Sequence, residues 1–251
     1  MRIDGLSVLD RLCAVIEQTC ENERIGLAMN KVSPSLQAAV ADVPDGASIM
    51  IGGFGDAGVP FDLIDALAEQ GAKDLTIISN NAGTGEEGVA KLIKLDRVKK
   101  IVCSFPRQAN SKAFDERYLS GALTLDLVPQ GNLAERIRAA GAGVGAFFTP
   151  TAFGTLLAEG KETREIAGRN YVLEYPIFAD YALIKAFKGD AHGNLVYRKT
   201  ARNFGPIMAT AAKCTIAQVA EVVPVGGLDP ENVVTPGIYV KRVVPVAPAP
   251  R

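Results

Sequence analysis

The sequence has little of what most catalytic centres need. It contains one histidine and no tryptophan in 251 residues. A Ser or Cys triad requires a histidine base, and the only histidine, His192, lies in G-D-A-H-G-N, whose glycine, aspartate and asparagine favour a solvated turn. The chain has no G-x-S-x-G elbow and no Walker A lysine loop. These absences argue against a serine hydrolase and a P-loop nucleotide-binding protein.

The four cysteines are scattered and do not form a metal-binding pattern. Cys13, Cys20, Cys103 and Cys214 include no C-x-x-C pair, and one histidine cannot complete a Cys/His zinc set. We therefore expect no metal site. Cys103 and Cys214 lie in apolar, strand-like runs, which predicts buried, unreactive thiols. Scattered thiols fit a reducing compartment, so we expect a cytoplasmic protein.

Charge and hydropathy also exclude whole classes of partner. The formal net charge is −1 and the sequence pI is about 6.0, so no basic excess points to nucleic acid or to anionic lipid. The longest apolar runs have the length of strands and are too short to span a membrane. We therefore expect neither nucleic-acid binding nor a membrane anchor.

Strand and helix patterns alternate through the first half of the chain. This alternation predicts an α/β fold, with a mostly parallel sheet covered by helices. The second half is less regular and predicts mainly further strands. The predicted helices are 34–43, 60–71, 86–95, 111–119 and 133–139, and the predicted strands are 47–51, 75–79, 100–104, 123–128, 181–187, 195–197, 214–219 and 237–243, with a hairpin over 162–175.

The ends of the chain differ in pattern from its middle. Residues 1–28 contain a short amphipathic pattern over 7–18 and are interpreted as an N-terminal extension, with a misassigned start as the alternative. Residues 29–245 form the expected domain. The terminal V-A-P-A-P-R, 246–251, is interpreted as a tail.

The most distinctive stretch is D-G-A-S-I-M-I-G-G-F-G-D-A-G-V-P, residues 45–60. An apolar strand enters a glycine loop, and P-F-D-L-I-D-A-L-A-E-Q-G follows as a helix. Such a loop lies at the carboxyl edge of a parallel sheet, where ligands bind. The predicted active-site loop comprises Gly52, Gly53, Phe54, Gly55 and Gly58.

Three interpretations of this loop remain open from the residues alone. Gly53, Gly55 and Gly58 match the dinucleotide pattern G-x-G-x-x-G, but the next strand ends in Ser79-Asn80 instead of the acid that would hold a ribose. Pro60 also removes an N–H that would face a pyrophosphate. The loop could equally be a structural turn, or a site for an acyl or thioester group.

A family resemblance favours the acyl site. The 45–60 stretch, S-N-N-A-G (79–83), V-P-Q-G-N-L-A-E-R-I-R (128–138), G-A-F-F-T-P-T (145–151) and G-N-L-V-Y-R-K-T-A-R-N-F-G-P (193–206) resemble the A (alpha) subunit of the class I coenzyme A transferases. The resemblance implies the CoA-transferase (NagB/RpiA-like) fold. C-S-F-P-R-Q and Y-R-K-T-A-R-N-F-G-P-I-M-A are most similar to the branch that acts on 3-oxoadipate, in the breakdown of aromatic compounds.

The same resemblance implies a partner chain. Class I transferases use a glutamate nucleophile, placed in a Glu-Asn-Gly motif of the B (beta) subunit. This sequence lacks that motif, because Glu86-Glu87-Gly88 is predicted to begin a helix. The resemblance therefore implies an A2B2 heterotetramer with no bound cofactor, whose substrates are an oxoacid and coenzyme A thioesters such as succinyl-CoA. The alternatives are a component of an acetoacetate or acetate CoA-transferase, and a non-catalytic ligand-binding module.

Polar residues at the ends of predicted strands are the candidate substrate contacts. Asn80 and Asn81 could hold a keto or carboxylate oxygen, or merely form an Asx-type turn. Gln130 can donate to a substrate oxygen without adding charge. Arg107 could bind the second carboxylate of a diacid with its guanidinium fork, or lie unused on the surface. The resemblance favours the substrate role for these residues.

Overall fold

A mostly parallel β-sheet forms the centre of the computed structural model, which describes residues 30–107 and 112–246. The predicted helix over 7–18, the N-terminal extension and all but the first residue of the predicted tail lie outside these residues. The predicted α/β class, with its parallel sheet covered by helices, is confirmed.

Strands and helices follow one another along the chain. The strands are β1 (Ser48–Ile51), β2 (Leu75–Ser79), β3 (Val98–Cys103), β4 (Thr124–Leu127), β5 (Phe147–Thr149), β6 (Thr163–Ile166), β7 (Arg169–Glu174), β8 (Ala179–Asp190), β9 (Leu195–Val196), β10 (Ala212–Val223) and β11 (Arg242–Pro245). The helices are α1 (Leu36–Val40), α2 (Phe61–Gln70), α3 (Val89–Lys94), α4 (Ala113–Leu119), α5 (Gln130–Gly141) and α6 (Gly205–Ala211).

Eight of these strands form the central sheet. Its order is β11-β10-β8-β1-β2-β3-β4, and all neighbours on this path are parallel. The short β9 pairs antiparallel with β8. The carboxyl ends of β1 to β4 therefore lie along one edge of the sheet.

Two buried layers lie on opposite faces of the sheet. Successive side chains of a strand point to opposite faces, so Ile49 and Ile51 of β1 pack with α1 to α4, whereas Met50 packs with α5 and α6. The sequences of these strands are continuous apolar runs, because helices cover both faces of the sheet. Among the described residues, no helix is both long enough and apolar enough to cross a bilayer.

A small antiparallel sheet adjoins this core. It consists of β5, β6 and β7, in the order β5-β7-β6. The hairpin predicted over 162–175 is therefore confirmed, with Gly168 at its turn in the left-handed region. The pairing of β5 with β7 joins residues more than twenty positions apart, and the sequence pattern did not indicate it.

Several predicted boundaries are wrong. The strand predicted over 237–243 starts only at Arg242, because Gly237 donates its N–H to Asn194 and accepts from Lys31, which removes it from the ladder. Helix α6 was not predicted, and β8 and β10 are longer than expected.

His192 lies in the predicted turn between β8 and β9. Its side chain is half-buried rather than solvated, and its Nε2 atom is buried away from solvent.

Candidate active site

The carboxyl ends of β1 and β2 border a narrow cleft. The glycine loop after β1 forms one wall, and the polar residues that follow β2 form another. The third wall is the start of α3 with Glu87 just before it. This is the edge of the sheet at which open α/β folds bind ligands.

A hydrogen-bonded cluster centres on Asn80, the first residue after β2. The side-chain oxygen Oδ1 of Asn80 accepts from Gln130 Nε2 at 2.7 Å and from Ser104 Oγ at 3.0 Å. The backbone oxygen of Asn80 accepts from the N–H groups of Ser104 and Phe105. The structure therefore brings together Asn80 and Gln130, which are fifty residues apart in sequence.

This cluster fixes which group Asn80 offers to a ligand. Because Oδ1 faces Gln130 and Ser104, the amide nitrogen Nδ2 is left on the other side. In the described part of the chain, Nδ2 donates to no protein acceptor, although Asn80 is only 4% exposed and lines the cleft. An amide donor in the wall of a cleft can bind an oxygen that enters the cleft.

Asn81 has a structural partner of its own. Its Oδ1 accepts from the N–H of Gly83 at 2.9 Å, which is the Asx-type turn that the sequence left open. Asn81 also pairs in parallel with Phe105, so the segment after β3 runs beside the segment after β2. The turn shapes the cleft wall, and a direct substrate contact by Asn81 stays a prediction.

Arg107 lies two residues beyond Phe105 and is paired with α4. Its Nε donates to Asp115 Oδ1 at 2.6 Å, and this hydrogen bond raises the pKa of the guanidinium. Its side chain is 66% exposed. Among the described residues it makes no hydrogen bond to Asn80 or Gln130. The structure thus places Arg107 at the expected edge of the sheet but does not bring it into the Asn80 cluster.

Gln130 occupies a different local structure from the one expected. It is the first residue of α5, although the sequence pattern began that helix at residue 133. Pro129 precedes it and offers no side-chain cap. The first three residues of the helix, Q-G-N, are not apolar, so the apolar periodicity did not indicate that the helix begins there. Pro129, just before the helix, could have indicated this start.

The glycine loop is held against a second segment of the chain. The residues predicted for the active-site loop all lie in it, between β1 and α2: Gly52, Gly53, Phe54, Gly55 and Gly58. Gly58 has a φ of 80°, and a Cβ there would lie 2.7 Å from the backbone oxygen of Ala201. Asn203 Nδ2 donates to Ala57 O at 2.8 Å. The loop therefore needs glycine where it approaches the turn before α6.

The contacts of two polar side chains, Ser104 and Gln218, were not predicted from the sequence. Ser104 follows a strand that resembles the others, and only its contact with Asn80 shows its role. Gln218 is buried in β10, where its Oε1 accepts from the N–H of Leu63 and its Nε2 donates to Asp62. It therefore caps α2, whose N-cap residue Pro60 provides no side-chain cap. A glutamine within an apolar strand was the available signal.

Thiol or metal chemistry would depend on the cysteine thiols and the acidic side chains of the described residues. Burial raises the pKa of Cys103 to about 12, so the thiol is protonated at neutral pH, as its apolar context predicts. Burial also raises the pKa of Cys214. Within residues 30–107 and 112–246, no three His, Cys, Asp or Glu side chains cluster in a way that could hold a metal ion.

Comparison with known proteins identifies the family. The family model described as coenzyme A transferase matches residues 34–245. The chain belongs to the coenzyme A transferase family. The A subunit of 3-oxoadipate CoA-transferase from Pseudomonas putida is 64% identical over 221 residues, which cover 88% of this chain and 96% of that relative.

Two further proteins are similar to most of this chain. The A subunit of succinyl-CoA:3-ketoacid coenzyme A transferase from Helicobacter pylori strain J99 is 48% identical over 215 residues, covering 86% of this chain and 92% of that protein. The crystal structure of an acyl-CoA transferase from Escherichia coli O157:H7 aligns with this chain with a TM-score of 0.77 and 23% sequence identity. The alignment covers 86% of this chain and 47% of the E. coli chain. That structure supports the fold.

Family membership argues against one of the three interpretations of the glycine loop. A chain that belongs to the coenzyme A transferases is not expected to bind a dinucleotide through its G-x-G-x-x-G match, and the role of the loop in an acyl or thioester site stays a prediction. The resemblance drawn from 45–60 and the later motifs is confirmed.

Proposed function

We propose that this chain is the A subunit of a transferase that moves coenzyme A from succinyl-CoA to 3-oxoadipate. The observation that carries the proposal is the side chain of Asn80, a residue that lines the cleft and whose amide oxygen is held by Gln130 and Ser104, while its nitrogen has no acceptor among the described residues. The 64% identity to a component of a 3-oxoadipate CoA-transferase, compared with 48% to one of a 3-ketoacid transferase, favours this acceptor over acetoacetate.

The reaction needs a nucleophile that this chain does not supply. The succinyl-CoA thioester is attacked by a glutamate carboxylate of a B subunit, and the thiolate of coenzyme A leaves. The thiolate then attacks the glutamyl carbonyl of the anhydride, which releases succinate and leaves a glutamyl-CoA thioester. 3-Oxoadipate attacks this thioester through one carboxylate, and the same two steps run in reverse to give 3-oxoadipyl-CoA.

This chain's contribution is to bind and polarise the acyl group. Each attack on a carbonyl develops negative charge on its oxygen, and a fixed amide donor such as Asn80 Nδ2 stabilises that charge without reorganising. Gln130 and Ser104 would hold the Asn80 side chain in place during both half-reactions. The oxygen of the reacting carbonyl would then be positioned by groups that carry no net charge.

Exposed aromatic residues support a second chain at the same edge. Phe54, in the glycine loop, is 52% exposed, and Phe105, after β3, is 57% exposed. A second chain that covers this edge of the sheet would bury both side chains. We propose that the B subunit covers them in an A2B2 heterotetramer and brings its glutamate to the cleft.

Arg107 is proposed to select the diacid. Only its Nε is used by Asp115, and the other guanidinium nitrogens make no hydrogen bond to the described residues, so they can bind the distal carboxylate of 3-oxoadipate. Arg107→Ala in the complex should lower kcat/KM about 10- to 100-fold for 3-oxoadipate, and less than about 3-fold for acetoacetate. Steady-state assays with succinyl-CoA and each acceptor measure this.

A matched arginine controls for general effects of charge. Arg138 on α5 is likewise exposed and paired with an acid, Glu135. Arg138→Ala should leave the ratio of the two acceptors unchanged. Equal losses for both acceptors in Arg107→Ala would refute the selective role, and a higher kcat/KM for acetoacetate in the unmodified complex would assign a 3-ketoacid transferase instead.

A further inference from the structure

A carboxylate is buried between the small antiparallel sheet and α5. Glu174, the last residue of β7, is only 2% exposed. Its Oε1 accepts from Lys161 Nζ at 2.7 Å and from Asn132 Nδ2 at 3.1 Å. Its Oε2 lies 3.6 Å from Arg136 Nε. No part of the proposed chemistry uses this group, yet burying an ionised carboxylate is costly unless it is fully paired.

Two of these partners lie on the helix that begins with Gln130. Asn132 and Arg136 are one turn apart on α5 and face the same carboxylate. Arg136 Nε also donates to the backbone oxygen of Tyr175 at 2.7 Å, just after β7. The first two turns of α5 are therefore tied to the end of β7 by side-chain contacts.

The first turn of α5 has no side-chain cap from Pro129. Backbone and apolar contacts hold it to the core, because the N–H of Leu133 donates to the backbone oxygen of Pro129 and Leu133 is fully buried. Asn132 provides the side-chain hydrogen bonds of this turn nearest to Gln130, to Glu174 and, at 3.5 Å, to the backbone oxygen of Thr151.

We infer that Glu174 is a positioning residue for the acyl site. It holds Asn132, and through the first turn of α5 it fixes the Gln130 amide against Asn80. This inference rests on the proposed function, because it assigns Glu174 a role in the transfer step. Misplacing a catalytic or binding group by about 1 Å can cost about 100-fold in rate, so the anchor is expected to affect turnover more than substrate binding.

The first test replaces the carboxylate in the assembled complex. Glu174→Gln keeps the size of the side chain but removes the charge that pairs with Lys161 and Arg136. We expect kcat to fall about 10- to 100-fold, with KM changed by less than about 3-fold. Glu162→Gln is the control, since Glu162 is an exposed acid next to the same sheet that pairs with Arg164. It should leave kcat unchanged.

A double-mutant cycle separates positioning from general stability. If Glu174 acts through Gln130, the loss of kcat caused by Glu174→Gln should largely disappear in a Gln130→Ala background. The changes in the free energy of unfolding need not show this coupling. Fully additive losses of kcat would overturn the inference. A full kcat in Gln130→Ala alone would overturn both this inference and the proposed role of Gln130.

A second variant and a second readout cover the case in which Glu174→Gln does not fold. Asn132→Ala removes the hydrogen bond between Glu174 and the first turn of α5 but leaves Glu174 paired with Lys161 and Arg136, and it should give a coupled loss of kcat in the same direction. Hydrogen exchange needs no substrate. Amides of 133–136 should exchange faster in Asn132→Ala than in Glu162→Gln, and equal rates would refute the anchor.

The two readouts also separate this inference from the proposed function. If the unmodified complex transfers no coenzyme A, the proposed function fails. The exchange experiment then still decides whether Glu174 and Asn132 hold the start of α5. Faster exchange with no coupled loss of kcat in an active complex would leave the transferase intact and overturn the positioning role.

Discussion

Asn80→Ala is expected to lower kcat about 100- to 1,000-fold in the assembled transferase, with a smaller change in KM. The substitution removes the amide of Asn80, a residue that lines the cleft, and leaves Gln130 and Ser104 without the side-chain oxygen that they share as an acceptor. Loss of one fixed donor to a developing oxyanion typically costs this much. The effect should appear with 3-oxoadipate and with acetoacetate alike, because the proposal assigns this donor to the reacting carbonyl and not to the distal carboxylate.

An exposed asparagine provides the control for this result. Asn170 lies in β7 on the surface of the antiparallel sheet, and Asn170→Ala should leave kcat within about 2-fold of the unmodified enzyme. Circular dichroism and thermal unfolding would show that Asn80→Ala still folds. A folded Asn80→Ala variant with full kcat would contradict the role given to the amide.

Gly83→Ala should both destabilise the chain and remove most of its activity. Gly83 has a φ of 87°, and an added Cβ would lie 2.4 Å from the backbone nitrogen of Ala90 in α3. Its N–H also closes the turn with Asn81. The backbone must move to relieve the clash, so we expect a loss of about 3 kcal/mol in the free energy of unfolding and about 100-fold in kcat/KM.

Substitution of Gly85 is the control that distinguishes backbone strain from steric crowding. It also has a positive φ, 61°, but no atom lies within 4 Å of the position a Cβ would take. Gly85→Ala should therefore cost only about 1 kcal/mol from the left-handed backbone, with little loss of activity. Denaturant unfolding of both variants measures the difference. Equal losses for the two substitutions would show that contact with α3 does not determine the shape of the cleft.

Local patterns were sufficient to predict the central sheet. The apolar runs at 47–51 and 75–79 are buried on both faces, and helical stripes alternate with them, so period and spacing predict parallel strands. The carboxyl ends of such strands share an edge. For this reason Asn80, Gln130 and Arg107 could be placed on one side of the sheet before any contact was known.

Contacts between distant residues could not be predicted in this way. The bond from Gln130 to Asn80 joins two loops fifty residues apart, and the cap that Gln218 provides for α2 joins residues more than 150 apart. The pairing of Glu174 with Asn132 likewise depends on how β7 packs against α5. These interactions are set by tertiary packing, on which local propensity carries no information.

The location of the covalent intermediate tests the central claim most directly. The assembled complex would be incubated with succinyl-CoA alone, digested, and searched by mass spectrometry for a carboxylate that carries coenzyme A. We expect the coenzyme A adduct on a glutamate of the partner chain and none on this chain. An adduct on a carboxylate of this chain, such as Glu87 at the cleft wall, would contradict the claim that it provides the acyl half of a shared site.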